Sequence, residues 1–572
     1  MRTTLITALL CAASLLLPCV LAQQSEADRQ ALAELHAQAA KGEAQSQFEL
    51  GWAFHSGGLG LGTNYVEAVK WFRKAAEQNH AQAQVNLGRC CEQGEGVATN
   101  YMEAVKWYRQ AAEQHDAQAQ HNLGFCYANG QGVAGDNVEA VKWYRQAAEQ
   151  NLPAAQSNLG TCYAEGRGVK KDETQAVKWF FKAAQQNNPN AQYNLGVCYR
   201  DGQGVAPNVI EAVKWWRYAA ERNHPGAQVE LGICYRDGQG VKKDGVEAVK
   251  WFSKAAQQNY ATAQHNLGVC YEKGEGVPRN PAEAAKWYRR AADQGNAKAQ
   301  YNLGVCYTQG AGVQQDSAEA VKWYRKAADQ NLAAAQHNLG VSYEKGEGVP
   351  QNPAEAAKLY RKAAEQGYAL ALCNLGLCSY NGQGVVKDEV EAYKWWLLAG
   401  AQGNEVAKGN IALAERQLTR QRLGEGQKRA GDFKPTRMAW FEGEPNPAIS
   451  NVPAEVIAKA KAGDAQAQNE LGEAFYTGKQ GAAKDAVEAV KWFRTAAEQN
   501  FPSAQANLGV CYERGDGVAK YEVEAYKWDS LAAAQGDAKG KRNATMLELL
   551  LSPEEIAEAK RLARAWPEGR KN

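Results

Sequence analysis

Eleven cysteines lie beyond the first 22 residues, and nine of them recur at one place, two residues after the glycine of a Leu-Gly pair: Cys90, Cys126, Cys162, Cys198, Cys234, Cys270, Cys306, Cys378 and Cys511. A row of thiols could cross-link, hold metal or carry redox chemistry. Cross-linking along the row fails on distance. Equivalent places in neighbouring helical hairpins are about 8–10 Å apart, whereas a disulfide needs Cα atoms within about 7 Å. Ala53, Ser342 and Ala474 fill the same place in other copies. Those substitutes indicate a small-volume requirement, which buried cysteine meets as a compact apolar residue. Cys91 and Cys373 fall outside the row. Cys373 replaces a variable residue and is expected at the surface, where it or Cys91 could pair with a partner.

Other residues of chemical promise are weaker. Ser342-Tyr343-Glu344-Lys345 is formally the Ser-x-x-Lys of serine acyl-enzymes, without the accompanying Ser-Asp-Asn or Lys-Thr-Gly. His121, His265 and His337 share one place, three before the glycine, but stand whole repeats apart. Metal ligands must converge on one ion, so these histidines read as variable surface residues, and neither a metal nor another cofactor is expected. Lysines such as Lys70, Lys106 and Lys142 follow a glutamate by three residues in nearly every copy. Their charge is compensated on a solvated helix face, which removes nucleic acid as a partner. Tryptophans follow that lysine from Trp71 to Trp528, with Leu359 the exception. An aromatic row could stack on sugars, but packing between successive helices explains the same regularity.

These residues recur because the chain repeats. The glycine falls at Gly51, Gly88, Gly124, Gly160, Gly196, Gly232, Gly268, Gly304, Gly340 and Gly376, then at Gly472 and Gly509, almost always 36 residues apart. A period of this length signals a solenoid. Each copy predicts two helices. In 117–130 the residues Ala119, Leu123, Cys126 and Tyr127 share a face, and Gly130 can end the helix with positive φ. Val133 plugs the connection. A second helix opens near Asn137, buries Ala140, Tyr144, Ala147 and Ala148, and stops at Asn151. Pro281 and Pro353 stand in the first turn of their helices, where a missing N–H costs little. The asparagine two before the glycine (Asn122, Asn158, Asn194) reads as a buried amide bonded to neighbouring loop backbone.

Tyr393 and Tyr526 interrupt "EAVKW" in the copies that precede longer, non-repeating helical stretches, 405–429 and 538–565. Terminal repeats need a polar outer face, so these stretches read as caps. The organisation expected is a leader at 1–22, a first array at 23–430 with ten repeats, a linker at 431–452, and a second array at 453–572 with two repeats. Arg2, the apolar run Leu5–Leu17 and Val20-Leu21-Ala22 before Gln23 make the leader an export signal, which implies a periplasmic or extracellular protein. The formal net charge of +2 and pI near 7.8 give no general attraction to nucleic acid or anionic membrane.

The blocks "AQxNLG", "YxxGxGV" and "EAVKWYRKAAEQ" resemble the Sel-like repeat family, a relative of the tetratricopeptide repeat. The resemblance implies an all-α solenoid of αα-hairpins, a right-handed superhelix here in two capped arrays, acting as a scaffold for protein or peptide partners and not as an enzyme. It also implies that first helices line the concave side. Variation along that side nominates partner-contacting residues: His121, Tyr193, His265, Tyr301 and His337 three before the glycine, and Phe125, Val197, Ile233, Val269, Val305 and Val341 one after it. The asparagine by which tetratricopeptide relatives clamp a free C-terminus follows that glycine, and no copy here has it. Some cysteine-rich relatives bind β-lactams, which leaves an acyl-enzyme through Ser342 as one alternative and glycan binding through the tryptophans as another.

Overall fold

The computed structural model describes residues 26–433, 454–479, 482 and 484–566. The leader at 1–22 lies outside the described residues, as does the linker from 434 onward. Among the described residues the chain is helical throughout and contains no strand. Helices alternate in pairs, and the chain divides into two compact units, one ending at Arg222 and the other beginning at Asn223.

One repeat shows why these residues fold this way. The first helix, Ala117–Asn129, is opened by Asp116, whose carboxylate accepts from the Ala119 N–H at 2.8 Å. Gly130, at φ 66°, closes it, and the N–H groups of Gly130 and Gln131 both reach the Cys126 carbonyl. The Asp136 N–H then donates to the Tyr127 carbonyl, which folds the connection back. Asp136 caps the second helix, Asn137–Glu149, through the N–H groups of Val138 and Glu139. A cap of this kind contributes about 1 kcal/mol. Asn151 ends the repeat in the left-handed region at φ 67°.

Two glycines per repeat are dictated by close approach. Tyr144 lies flat on Gly124, where a Cβ would sit 2.8 Å from the ring. Burying a side chain of this size contributes about 1.5–3 kcal/mol. At Gly132, φ 71°, a Cβ would lie 2.2 Å from the Tyr101 carbonyl oxygen of the preceding repeat. The first contact joins the two helices of a hairpin, and the second joins one hairpin to the next.

The buried polar ladder is built from glutamine. Gln120 donates its amide to the Ala112 carbonyl at 3.2 Å and accepts from Gln150 at 2.8 Å. The same pair of bonds recurs at Gln156, Gln264, Gln300 and Gln336. Each buried amide is thereby satisfied by the end of the preceding second helix and by its own.

Within the second unit the stretches expected as caps each form two helices, Glu405–Gln417 with Arg420–Gly431, and Ala538–Glu548 with Pro553–Ala565. Arg420 donates to the Leu550 carbonyl at 2.6 Å and pairs with Glu555 at 3.0 Å. The Gly517 N–H donates to the Ala401 carbonyl at 3.2 Å.

Candidate functional site

The first-helix residues nominated for partner contact fall into two rows with different surroundings. After the glycine, Phe125 is 41% exposed, and Val197, Ile233, Val269, Val305 and Val341 are half-buried. Three before it, His121, Tyr193, His265 and Tyr301 are half-buried and His337 is buried. The histidines are therefore partly covered and not free surface residues. They sit at the seam with the next repeat, where Asn158 Nδ2 approaches His121 Nε2 at 3.1 Å, Asn302 approaches His265 at 3.2 Å, and Asn374 approaches His337 at 3.2 Å. His121 Nδ1 lies 3.2 Å from Asn122 Oδ1, so the imidazole donates to its own neighbour and accepts from the next repeat. Burial holds His121 and His337 below the usual imidazole range, which suits the neutral ring this bonding needs. The asparagine bonds an imidazole where the sequence suggested loop backbone, and most members of its row remain half-exposed.

The thiol row is interior. All eleven described cysteines are free and buried. Burial pushes Cys126 up to about 12 and Cys198, Cys270, Cys306 and Cys378 up to about 11, so thiolate is scarce near neutral pH. Cys373, expected outside, is only 3% exposed, because the place three before the glycine is the seam just described. Cys91 is buried as well, so neither is available to a partner's thiol. Ser342 is buried, and its hydroxyl donates to the Asn338 carbonyl one turn back at 3.2 Å. Lys345 points to Glu347, 4.0 Å away.

The tryptophans fill space between second helices. Trp107, Trp215, Trp251, Trp323, Trp395 and Trp528 are buried. Lys394 Nζ lies 3.9 Å from the Trp395 ring centroid and Phe433 meets that ring edge-on at 5.5 Å, while Trp71, Trp143, Trp179, Trp287 and Trp492 are half-buried. The Glu–Lys pairs form as the spacing requires, at 3.1 Å for Lys250–Glu247 and 3.0 Å for Lys286–Glu283.

Three features escaped sequence reasoning. His55, Cys90 and Glu95 bring one nitrogen, one sulfur and one carboxylate oxygen within 4.8 Å of one another, the one such group among the described residues. Asp529 is fully buried at the place where other copies have Phe, Tyr or Trp. One of its oxygens accepts from Asn543 at 3.1 Å and the other has no partner. Burial pushes its carboxyl up to about 8. A cleft of about 580 Å³ in the second unit is lined by Leu397, Ile411, Arg514 and Lys520. The acids on its wall are engaged, Asp485 as a helix cap and Asp516 with the Tyr476 hydroxyl. The signal for Asp529 was present in the sequence as a single departure from an aromatic row, whereas His55 stands at a variable place and gave none.

This arrangement, paired helices stacked through seams with one variable solvent row, defines an αα-hairpin solenoid of the protein-interaction class. The Sel1 repeat pattern matches 44–80, 81–116, 117–152, 153–188, 189–224, 225–260, 261–296, 297–332, 333–368, 369–404, 465–501 and 502–537. The chain belongs to the Sel1 repeat family, whose members are generally protein-interaction scaffolds. Among solved structures it is similar to a protective antigen of uropathogenic Escherichia coli displaying an SLR fold, with 31% identity over 87% of this chain and 94% of that one and a TM-score of 0.51. A Sel1 repeat protein from Oxalobacter formigenes shares 33% identity over 56% of this chain and 91% of that one, with a TM-score of 0.42. No curated protein matches the chain. Among the described residues no helix is long and apolar enough to cross a membrane.

Proposed function

We propose that the chain is an exported scaffold, with no catalytic step of its own, that holds a protein or peptide partner along the solvent row of its first helices. The observation that carries this reading is the row in the second unit. Ile233, Val269, Val305 and Val341 repeat one half-exposed aliphatic side chain per copy along one line of first helices. An extended peptide needs apolar contacts at intervals, and this row offers them. The hydrogen bond of Ser342 to its own helix favours this reading over an acyl-enzyme, and the burial of six of the eleven row tryptophans favours it over a glycan binder. Export rests on the leader at 1–22.

The test places a photo-crosslinking residue at Val305 in the whole chain, expressed in its native envelope. Capture of a discrete protein or peptide is expected. Val269→Lys together with Val341→Lys lowers that capture at least tenfold, whereas capture indifferent to both lysines refutes the site. Export predicts a mature N-terminus at Gln23, and a cytoplasmic product retaining Met1 refutes it.

A further inference from the structure

His55 ends the helix Ala44–Ser56, and Cys90 lies in the helix Ala81–Gln93 of the next repeat. Glu95 follows the glycine that closes that second helix, Gly94 at φ 75°. The N–H groups of Gly94 and Glu95 both donate to the Cys90 carbonyl, at 2.9 and 3.0 Å, so the thiol and the carboxylate are held in register by the helix end itself. The imidazole is held independently. Trp52 stacks on it at 5.5 Å, Tyr65 meets it edge-on at 5.1 Å, and its Nε2 lies 3.1 Å from Glu95 Oε2. The thiol closes the inner side, while the side chains of His55 and Glu95 are 15% and 28% exposed on the outer side. At the place of His55 the other copies carry Glu92, Ala128, Ala164, Arg200, Arg236, Glu272, Thr308, Glu344, Tyr380, Tyr476 and Glu513. Among the twelve copies only the first carries an imidazole at that place.

We propose that His55 Nε2, Cys90 Sγ and a Glu95 carboxylate oxygen bind one divalent ion of the zinc class, with water from the exposed side as fourth ligand. Zinc bonds of about 2.0–2.3 Å in a tetrahedron require ligand atoms about 3.3–3.8 Å apart, which side-chain adjustments within the present group reach. A mixed nitrogen, sulfur and oxygen set suits zinc or its neighbours and not calcium or magnesium, which take oxygen. On binding, the Cys90 thiol gives its proton to solvent and the imidazole carries its remaining proton on Nδ1. Thiolate and carboxylate together neutralise the ion, so a buried charge pair forms without net charge. The ion ties the first repeat to the second, at the array end where a hairpin has only one neighbouring hairpin to pack on.

The test uses the metal-free whole chain, titrated with Zn²⁺ by calorimetry and with Co²⁺ by absorption. One equivalent is expected, with a thiolate-to-cobalt charge-transfer band and a raised melting midpoint. Cys90→Ser abolishes the band, and the fold should accept it, since Ser342 already occupies this row. His55→Tyr weakens Zn²⁺ binding at least tenfold while leaving the metal-free melting midpoint near its original value, because Tyr476 at the matching place makes the equivalent bond to Asp516 at 2.7 Å. Absence of the band, its survival in Cys90→Ser, or unchanged Zn²⁺ affinity in His55→Tyr overturns the site.

Discussion

The repeat pairs 44–116 and 465–537 are built on one plan and differ where chemistry enters. Both have alanine at the first thiol place, Ala53 and Ala474, and cysteine at the second, Cys90 and Cys511. In both, a ring on the first hairpin meets an acid from the next connection, His55 with Glu95 at 3.1 Å and Tyr476 with Asp516 at 2.7 Å. They part at that ring and at the residue lying on the second glycine, Tyr108 over Gly88 against Asp529 over Gly509. The difference teaches that a frame specified many times over tolerates a single substitution, and that such a substitution installs a titrating or ligating group without disturbing the stack.

The sharpest way to break this comparison is to remove the residue over the glycine in each pair. Tyr108 is fully buried and its hydroxyl donates to Glu92 at 2.6 Å. Tyr108→Ala is expected to cost about 3–5 kcal/mol locally, seen as faster amide hydrogen exchange in 81–116. Asp529→Ala removes a carboxyl with one unpartnered oxygen and should leave exchange in 502–537 nearly unchanged. Comparable losses at both places would mean that Asp529 packs as the aromatic residues do.

A smaller effect follows from the titration of Asp529. Its folded carboxyl titrates at about 8, above the ordinary 3.8, so the folded chain holds a proton that the unfolded chain has lost. The stability this contributes is complete below the ordinary value and is lost as pH rises through 8. Trp528 fluorescence should therefore report a melting midpoint that falls from about pH 4 to pH 8 and levels off above it. Asp529→Asn should flatten that fall and raise the midpoint at pH 9. Parallel profiles for the two proteins would contradict the assignment.

The smallest contrast is between two lysines of one row. Lys70 is 59% exposed and pairs with Glu67 at 2.6 Å, an arrangement contributing below about 1 kcal/mol. Lys527 is 9% exposed, pairs with Glu524 at 3.0 Å, and lies 4.6 and 4.9 Å from the rings of Trp528 and Trp566. Lys70→Ala should leave the unfolding midpoint in place, while Lys527→Ala lowers it by an amount equal to about 1–3 kcal/mol. Equal responses would show that the second pair is as well solvated as the first.

Helix ends, the stripe of Ala140, Tyr144, Ala147 and Ala148 and the interior place of the cysteines were legible because each rests on local periodicity and turn chemistry. The row three before the glycine was not legible. On an isolated helix it shares a face with the row after the glycine, and only the neighbouring first helix turns it into a seam. Cys373 and the histidines were misplaced for that one reason. Asparagine recurs in nine of the twelve copies and glutamine in eleven, and recurrence alone does not say which amide is buried. The Ala112 carbonyl beside Gln120 decides it.

What the sequence by itself determined is the paired-helix repeat, its period and the small, apolar character of its interior places, because these follow from the backbone bonding and hydrophobic spacing of residues near one another in the chain. What only the tertiary structure decided is which side chains from different repeats meet. His55 and Glu95 are 40 residues apart in neighbouring repeats, and Asn158 meets His121 across a repeat boundary 37 residues away. Such meetings depend on the angle and offset at which hairpins stack, quantities set by the packing of whole helices and written in no single stretch of residues.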